Sequence, residues 1–122
     1  MLGYVTLGTN DFEASAEFYD QLFAVCGAKR LMEIEGFILW GTSMDAASVA
    51  IAKPFNGEPA TVGNGGMAAI QLDSQEAVAE MYNKAIELGG QDEGAPGQRG
   101  EGFYAGYFRD LEGNKLNAFF AG

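Results

Sequence analysis

The sequence predicts an α+β fold in which two βαβββ repeats enclose a cleft. Three observations carry this expectation. An alternating, strand-like stretch gives way to a helical stripe near the N-terminus, and the same succession returns near the middle. The two stretches superimpose without a gap under a shift of 63 residues, Glu13 falling on Glu76. Each is followed by short strand-like runs bounded by turn residues.

In the first unit, Leu2–Gly8 alternates: Tyr4 and Thr6 point one way, Val5 and Leu7 the other. Asn10 then offers a helix N-cap, with Glu13 at N3 as the return partner of a capping box. Phe12, Ser15, Tyr19, Phe23 and Cys26 fall on one helical face, widened by Phe18, Leu22 and Val25. Gly27 suits the residue just past the helix end. Strand-like runs follow at Arg30–Glu35, Phe37–Gly41 and Ser48–Lys53.

The second unit repeats this grammar. Met67–Leu72 alternates, Asp73 is the N-cap with Glu76 at N3, and Val78, Met81, Tyr82, Ala85 and Ile86 form the stripe closed by Gly89 and Gly90. Under the shift, Glu13, Ala14, Ala16, Glu17, Tyr19 and Gly27 meet identical residues, which marks an internal repeat. A glycine-rich stretch then leads to Phe103–Arg109 and Lys115–Ala121, joined by the turn Asp110–Asn114. With 122 residues the chain makes one domain: repeat 1 at about 1–55, a linker at 56–63 and repeat 2 at about 64–122.

A βαβββ unit covers one sheet face with its helix and leaves the other bare. Two units, in one chain or two, can turn those bare faces inward. Period two assigns Val5, Leu7, Ala68, Ile70, Leu116, Ala118 and Phe120 to the helix side. Tyr4, Thr6, Met67, Ala69, Gln71, Lys115, Asn117 and Phe119 fall to the cleft side. Tyr104 and Tyr107 lie on opposite faces of one strand, so only one of them faces the cleft.

Composition narrows the chemistry. Seven Lys and Arg against 17 Asp and Glu give a net charge of −10, which repels phosphate backbones and anionic lipid. Neither nucleic acid nor membrane is expected as a partner. The chain has no histidine, which removes Ser-His-Asp and Cys-His relays, HExxH zinc sites and any imidazole acid–base step. The single cysteine, Cys26, cannot form an intrachain disulfide and fits a reducing compartment. No basic residue precedes Lys29, as a signal peptide would require, and no apolar run approaches the roughly 18–20 residues of a membrane span. A soluble, cytoplasmic protein is the expectation.

The paired unit, the opening Tyr4-Val5-Thr6-Leu7-Gly8-Thr9-Asn10-Asp11 leading to Phe18-Tyr19, and the closing Tyr107-Phe108-Arg109-Asp110-Leu111-Glu112-Gly113-Asn114-Lys115-Leu116 together resemble the vicinal oxygen chelate superfamily. That group holds glyoxalases, bleomycin-resistance and fosfomycin-resistance proteins and extradiol dioxygenases. Lys53-Pro54-Phe55-Asn56-Gly57 and Gly94-Ala95-Pro96-Gly97 are similar to its small bacterial glyoxalase-like members. The resemblance implies a divalent cation held by His from each unit's first strand and Glu from each unit's last strand. Here those positions read Tyr4, Met67 and Asn117, with Lys53 or a neighbour nearest the fourth. A phenol, a thioether and an amide suit a hard or borderline dication poorly, so no metal and no cofactor is expected. The resemblance also implies a homodimer, which would cover exposed strand edges.

The candidate ligand pocket is Tyr4, Thr6, Trp40, Lys53, Met67, Gln71, Tyr104, Tyr107, Arg109 and Asn117. Tyr4 offers a phenol donor, Met67 plastic apolar lining, and Asn117 an amide to orient a carbonyl or carboxylate. Trp40 is a stacking platform or a core residue. Lys53, Arg99 and Arg109 near a cleft would favour an anionic ligand, and on the surface would merely pair with carboxylates. Cys26, in the last turn of its helix, is a structural thiol, because the negative helix end disfavours thiolate. Three functions fit: binding of a small organic molecule without a catalytic metal, a lyase or isomerase using Tyr4 with Asn117 or a recruited metal, and a dimeric scaffold with an empty cleft.

Overall fold

A computed structural model describes all 122 residues. The first unit comprises β1 (Tyr4–Gly8), α1 (Phe12–Ala24), β2 (Lys29–Ile34), β3 (Phe37–Gly41) and β4 (Ser48–Ala52). The second comprises β5 (Ala68–Gln71), α2 (Gln75–Glu87), β6 (Gln91–Gln98), β7 (Phe103–Arg109) and β8 (Lys115–Ala121). Each unit forms a four-stranded sheet, ordered β1-β4-β3-β2 and β5-β8-β7-β6. β1 runs parallel to β4 and β5 to β8, while the other pairs are antiparallel. The two βαβββ units are thus present. No helix is long and apolar enough to cross a membrane.

Both helices have 13 residues and start 63 positions apart, but each begins one residue later than its cap signal suggests. The N-caps are Asp11, accepting from Ala14 N–H at 3.2 Å, and Ser74, accepting from Ala77 N–H at 3.1 Å. Asn10 is unavailable because its amide pairs both ways with the Ala60 backbone, at 2.7 and 3.0 Å. At the far ends, Ala28 N–H bonds Phe23 C=O and Gly90 N–H bonds Ala85 C=O. The left-handed residues there are Gly27 and Gly89, only 62 apart. In the parallel pairs, Val5 faces Val49 while Ala68 faces Leu116, an offset of 67 for the last strands. The gapless repeat therefore holds through the helices and fails beyond them, where loop lengths differ.

α1 covers β2–β4, α2 covers β6–β8, and the helices pack on one another, so both units share one core. Tyr19 sits at its centre, with ring centroids 5.0 Å from Phe18, 5.1 Å from Phe23 and 5.7 Å from Trp40. Such aromatic pairs add roughly 0.5–1.5 kcal/mol each beyond their buried area.

The β7–β8 turn locks the two units together. Buried Asp110 accepts from Tyr19 Oη at 2.5 Å and from Glu112 N–H, Asn114 N–H and Asn114 Nδ2, each at 2.9 Å. Glu112 accepts from Thr9 Oγ1 at 2.8 Å and Asp11 N–H at 2.9 Å, placing a carboxylate on the positive end of α1. Burial works to raise the Glu112 pKa, but these hydrogen bonds hold it below the usual carboxylate range.

Candidate functional site

The side chains turned away from the helices form an open face on each sheet. On the first sheet Tyr4 lies opposite Ser48 and Thr6 opposite Ala50. On the second, Asn117 sits between Ala69 on β5 and Tyr107 on β7, and Lys115 lies opposite Arg109. Tyr4 (53% exposed) and Met67 (47%) both line a groove of about 910 Å³ between the units, together with Gln71 and Phe119. Thr6 and Met67 also line a smaller hollow of about 310 Å³ between β1 and β5. The first strands of the two units thus border the same two cavities.

The register distinguishes the two tyrosines. Tyr107, opposite Asn117, is on the open face. Tyr104 pairs with Phe120 on the helix side and packs against the core, so its place in the pocket is corrected. Trp40 is a core residue that also forms part of the groove's wall. It is 1% exposed beneath α1, and its indole N–H donates to Asp20 at 2.9 Å. A paired Arg30 guanidinium holds Asp20 below the usual carboxylate range and lies 5.8 Å from the Trp40 ring. Trp40 touches the inter-unit groove only from the helix side. Lys53 follows the end of β4 and is exposed, off the open face; the counterpart of Asn117 is Ala50, because Ala50 faces Thr6 as Asn117 faces Ala69.

Asn117 is 1% exposed, and its Oδ1 has no hydrogen-bond partner. A buried acceptor left in this state costs on the order of 1–3 kcal/mol. Beside it, Glu93 bridges Arg109 Nε at 3.3 Å and Lys115 Nζ at 3.9 Å. Lys115 Nζ and Arg99 Cζ each lie 5.5 Å from the Tyr107 ring centroid. Nothing in the residue spacing points to Glu93, because β6 carries two register shifts that scramble period two. Cys26 lines the groove, and burial raises its thiol pKa, which keeps it protonated.

The residues at the positions implied for a metal offer a phenol (Tyr4), a thioether (Met67) and an amide (Asn117), and at the fourth Ala50 offers no donor. No three His, Cys, Asp or Glu side chains converge elsewhere. This donor set does not fit a divalent cation.

A search of the curated proteins finds no match. Among solved structures, the chain is similar to a glyoxalase/bleomycin resistance protein from Albidiferax ferrireducens T118, with 32% identity and a TM-score of 0.92 over 100% of this chain and 99% of that one. It shares its fold with a lactoylglutathione lyase from Agrobacterium tumefaciens, at 19% identity and TM-score 0.69, covering 98% and 92% of the two chains. The fosfomycin resistance protein FosX from Mesorhizobium loti is comparable, at 16% identity and TM-score 0.71, with 100% and 92% covered. Residues 1–118 match the family described as the Glyoxalase/Bleomycin resistance protein/Dioxygenase superfamily, and this chain belongs to it.

Proposed function

We propose that this protein binds a small organic molecule on the open faces of its sheets without the catalytic metal the fold can house. The observation that carries this reading is the groove of about 910 Å³ lined by Tyr4 and Met67, two of the positions where a metal site would need imidazole, with an amide, Asn117, where it would need a carboxylate. Tyr4, Met67 and Gln71 supply an adaptable, mostly apolar border to the adjoining groove. Met32 (42% exposed) and Ile34 (60%) extend the apolar surface of the first sheet, which supports a homodimer in which a second copy covers these faces. A reducing, cytoplasmic setting suits the lone thiol.

Incubation with nickel, zinc, manganese or iron(II), desalting and elemental analysis test the proposal. Less than a tenth of an equivalent retained is the expected result, together with stabilisation by at least one compound in a metabolite thermal-shift screen. One tightly held equivalent of metal, or no stabilising compound, overturns it.

A further inference from the structure

The open face of the second sheet carries a concentration of positive charge that the overall composition does not anticipate. Arg99, Arg109 and Lys115 meet there with one carboxylate, Glu93. Three cations and one anion leave a local +2 on a chain whose net charge is −10. Glu93 is shared between Arg109 and Lys115, while Arg99 has only the Ala95 carbonyl as a polar partner. Arg99 and Lys115 thus bring two cations to one ring, each 5.5 Å from its centroid. β6 is shaped for this approach. A Cβ at Gly97 would lie 2.8 Å from Arg99 Nη1, and one at Gly94 would lie 3.3 Å from Nη2. The two glycines leave the trough through which the guanidinium reaches the ring.

We propose that Arg99 and Lys115, both at the Tyr107 ring, form an oxyanion subsite, so that the ligand is a small organic carboxylate or phosphoryl compound. This deepens the binding role proposed above and rests on it. Guanidinium and ammonium bind oxyanions through charge-assisted hydrogen bonds, and the guanidinium adds a planar fork. The Tyr107 face favours both cations even when the subsite is empty. The flexible Arg99 is thereby held near its working position.

The test uses three probes of one size: benzoate, phenylphosphonate and the neutral benzyl alcohol, titrated into the full-length protein by NMR and thermal shift. One or both anions should bind more tightly than the alcohol, and the anion that wins tells carboxylate from phosphoryl recognition. Arg99→Gln and Lys115→Gln should each weaken that anion about 10- to 100-fold, the range for one charge-assisted bond. Lys29→Gln, a cation elsewhere on the surface, should change nothing. Gly97→Ala keeps every charge but intrudes on the guanidinium; it should weaken the anion while leaving the free protein's melting midpoint in place, since only a flexible side-chain tip must move. If the alcohol binds as well as the anions, or Arg99→Gln and Lys115→Gln bind like wild type, the subsite falls and the binding role stands. If none of the probes binds and a metabolite screen is also silent, both fall.

Discussion

Tyr19 and Tyr82 occupy equivalent places in the two helices, 63 residues apart, and each hydroxyl donates to an aspartate. The same deletion of one oxygen should nevertheless have unequal effects. Tyr19 Oη reaches buried Asp110 in the shared core, whereas Tyr82 Oη reaches Asp92, which lies in solvent. A hydrogen bond to a buried charge contributes about 1.5–3 kcal/mol, and Asp110 keeps its other three donors, which favours the lower half of that range. At about 2.1 cal/mol/K per residue, unfolding 122 residues has an entropy near 0.26 kcal/mol/K, so 1 kcal/mol shifts the midpoint by about 4 °C. Tyr19→Phe should therefore melt roughly 6–9 °C below wild type. Tyr82→Phe should stay within about 2 °C, because water replaces the lost partner. Calorimetry of the two variants side by side gives the comparison. Burial first, and then the charge and hydrogen bond of Asp110, raise the Tyr19 pKa well above the ordinary value. The wild-type advantage is complete below pH ~10, where the unfolded tyrosine is still protonated, and shrinks as pH rises toward the folded value. Equal shifts for the two variants, or an advantage that grows above pH ~10, would refute the reasoning.

Glu112→Gln should destabilise at neutral pH by weakening the bonds to Asp11 N–H and Thr9. Its folded pKa is lowered, so the stabilising effect is present above the unfolded value of about 4.3 and is lost as pH falls through the folded one. Urea melts of both proteins from pH 7 to pH 2.5 should converge at the acid end, and a constant gap would count against the turn as an ionic lock. Asn117→Val removes the unpartnered buried acceptor with an apolar side chain closer in volume and suited to a strand, so it should raise the melting midpoint by about 4 °C or more. A lower midpoint would mean that Asn117 Oδ1 has a partner within the protein.

Helix spans were legible because their signals are local: Phe18, Tyr19, Leu22 and Phe23 fall on a single stripe and are buried along it. The cap at Asp11 was not legible, since Asn10 is diverted by Ala60, 50 residues away. Strand faces were readable wherever apolar and polar residues alternate, as in Tyr4–Leu7 and Lys115–Ala118. Phe37-Ile38-Leu39-Trp40 is apolar throughout, so period two is silent and nothing local reveals that Trp40 belongs beneath α1. Lys53 was placed by the end of its strand-like run, whereas the register puts Ala50, three residues earlier, where Asn117 stands in the second unit, an offset of 67. The Arg99–Tyr107–Lys115 arrangement depends on a bulged, glycine-rich strand, whose register no pattern in the chain announces.

The two ends of this duplicated scaffold serve different purposes. With the offset of 67, Ser43 and Asp45 correspond to Asp110 and Glu112, and even the local turn bond recurs: Ser43 Oγ accepts from Asp45 N–H as Asp110 accepts from Glu112 N–H. A serine cannot act as the buried anion that Tyr19 answers in the other half, and Tyr82 turns to Asp92 instead. Asp45 stays exposed, Ser74 caps α2 alone, and between the β3–β4 turn and α2 the inter-unit groove lies open, lined there by Ala46, Leu72 and Ala77. The end with Asp110 and Glu112 is sealed by carboxylate hydrogen bonds, and the end with Ser43 and Asp45 stays hollow. The sealed end shares its core with both helices, while the hollow end is continuous with Met67, Gln71 and Phe119 beside the open face. The unequal turns thus leave one end of the molecule tied by buried hydrogen bonds and the other with open space.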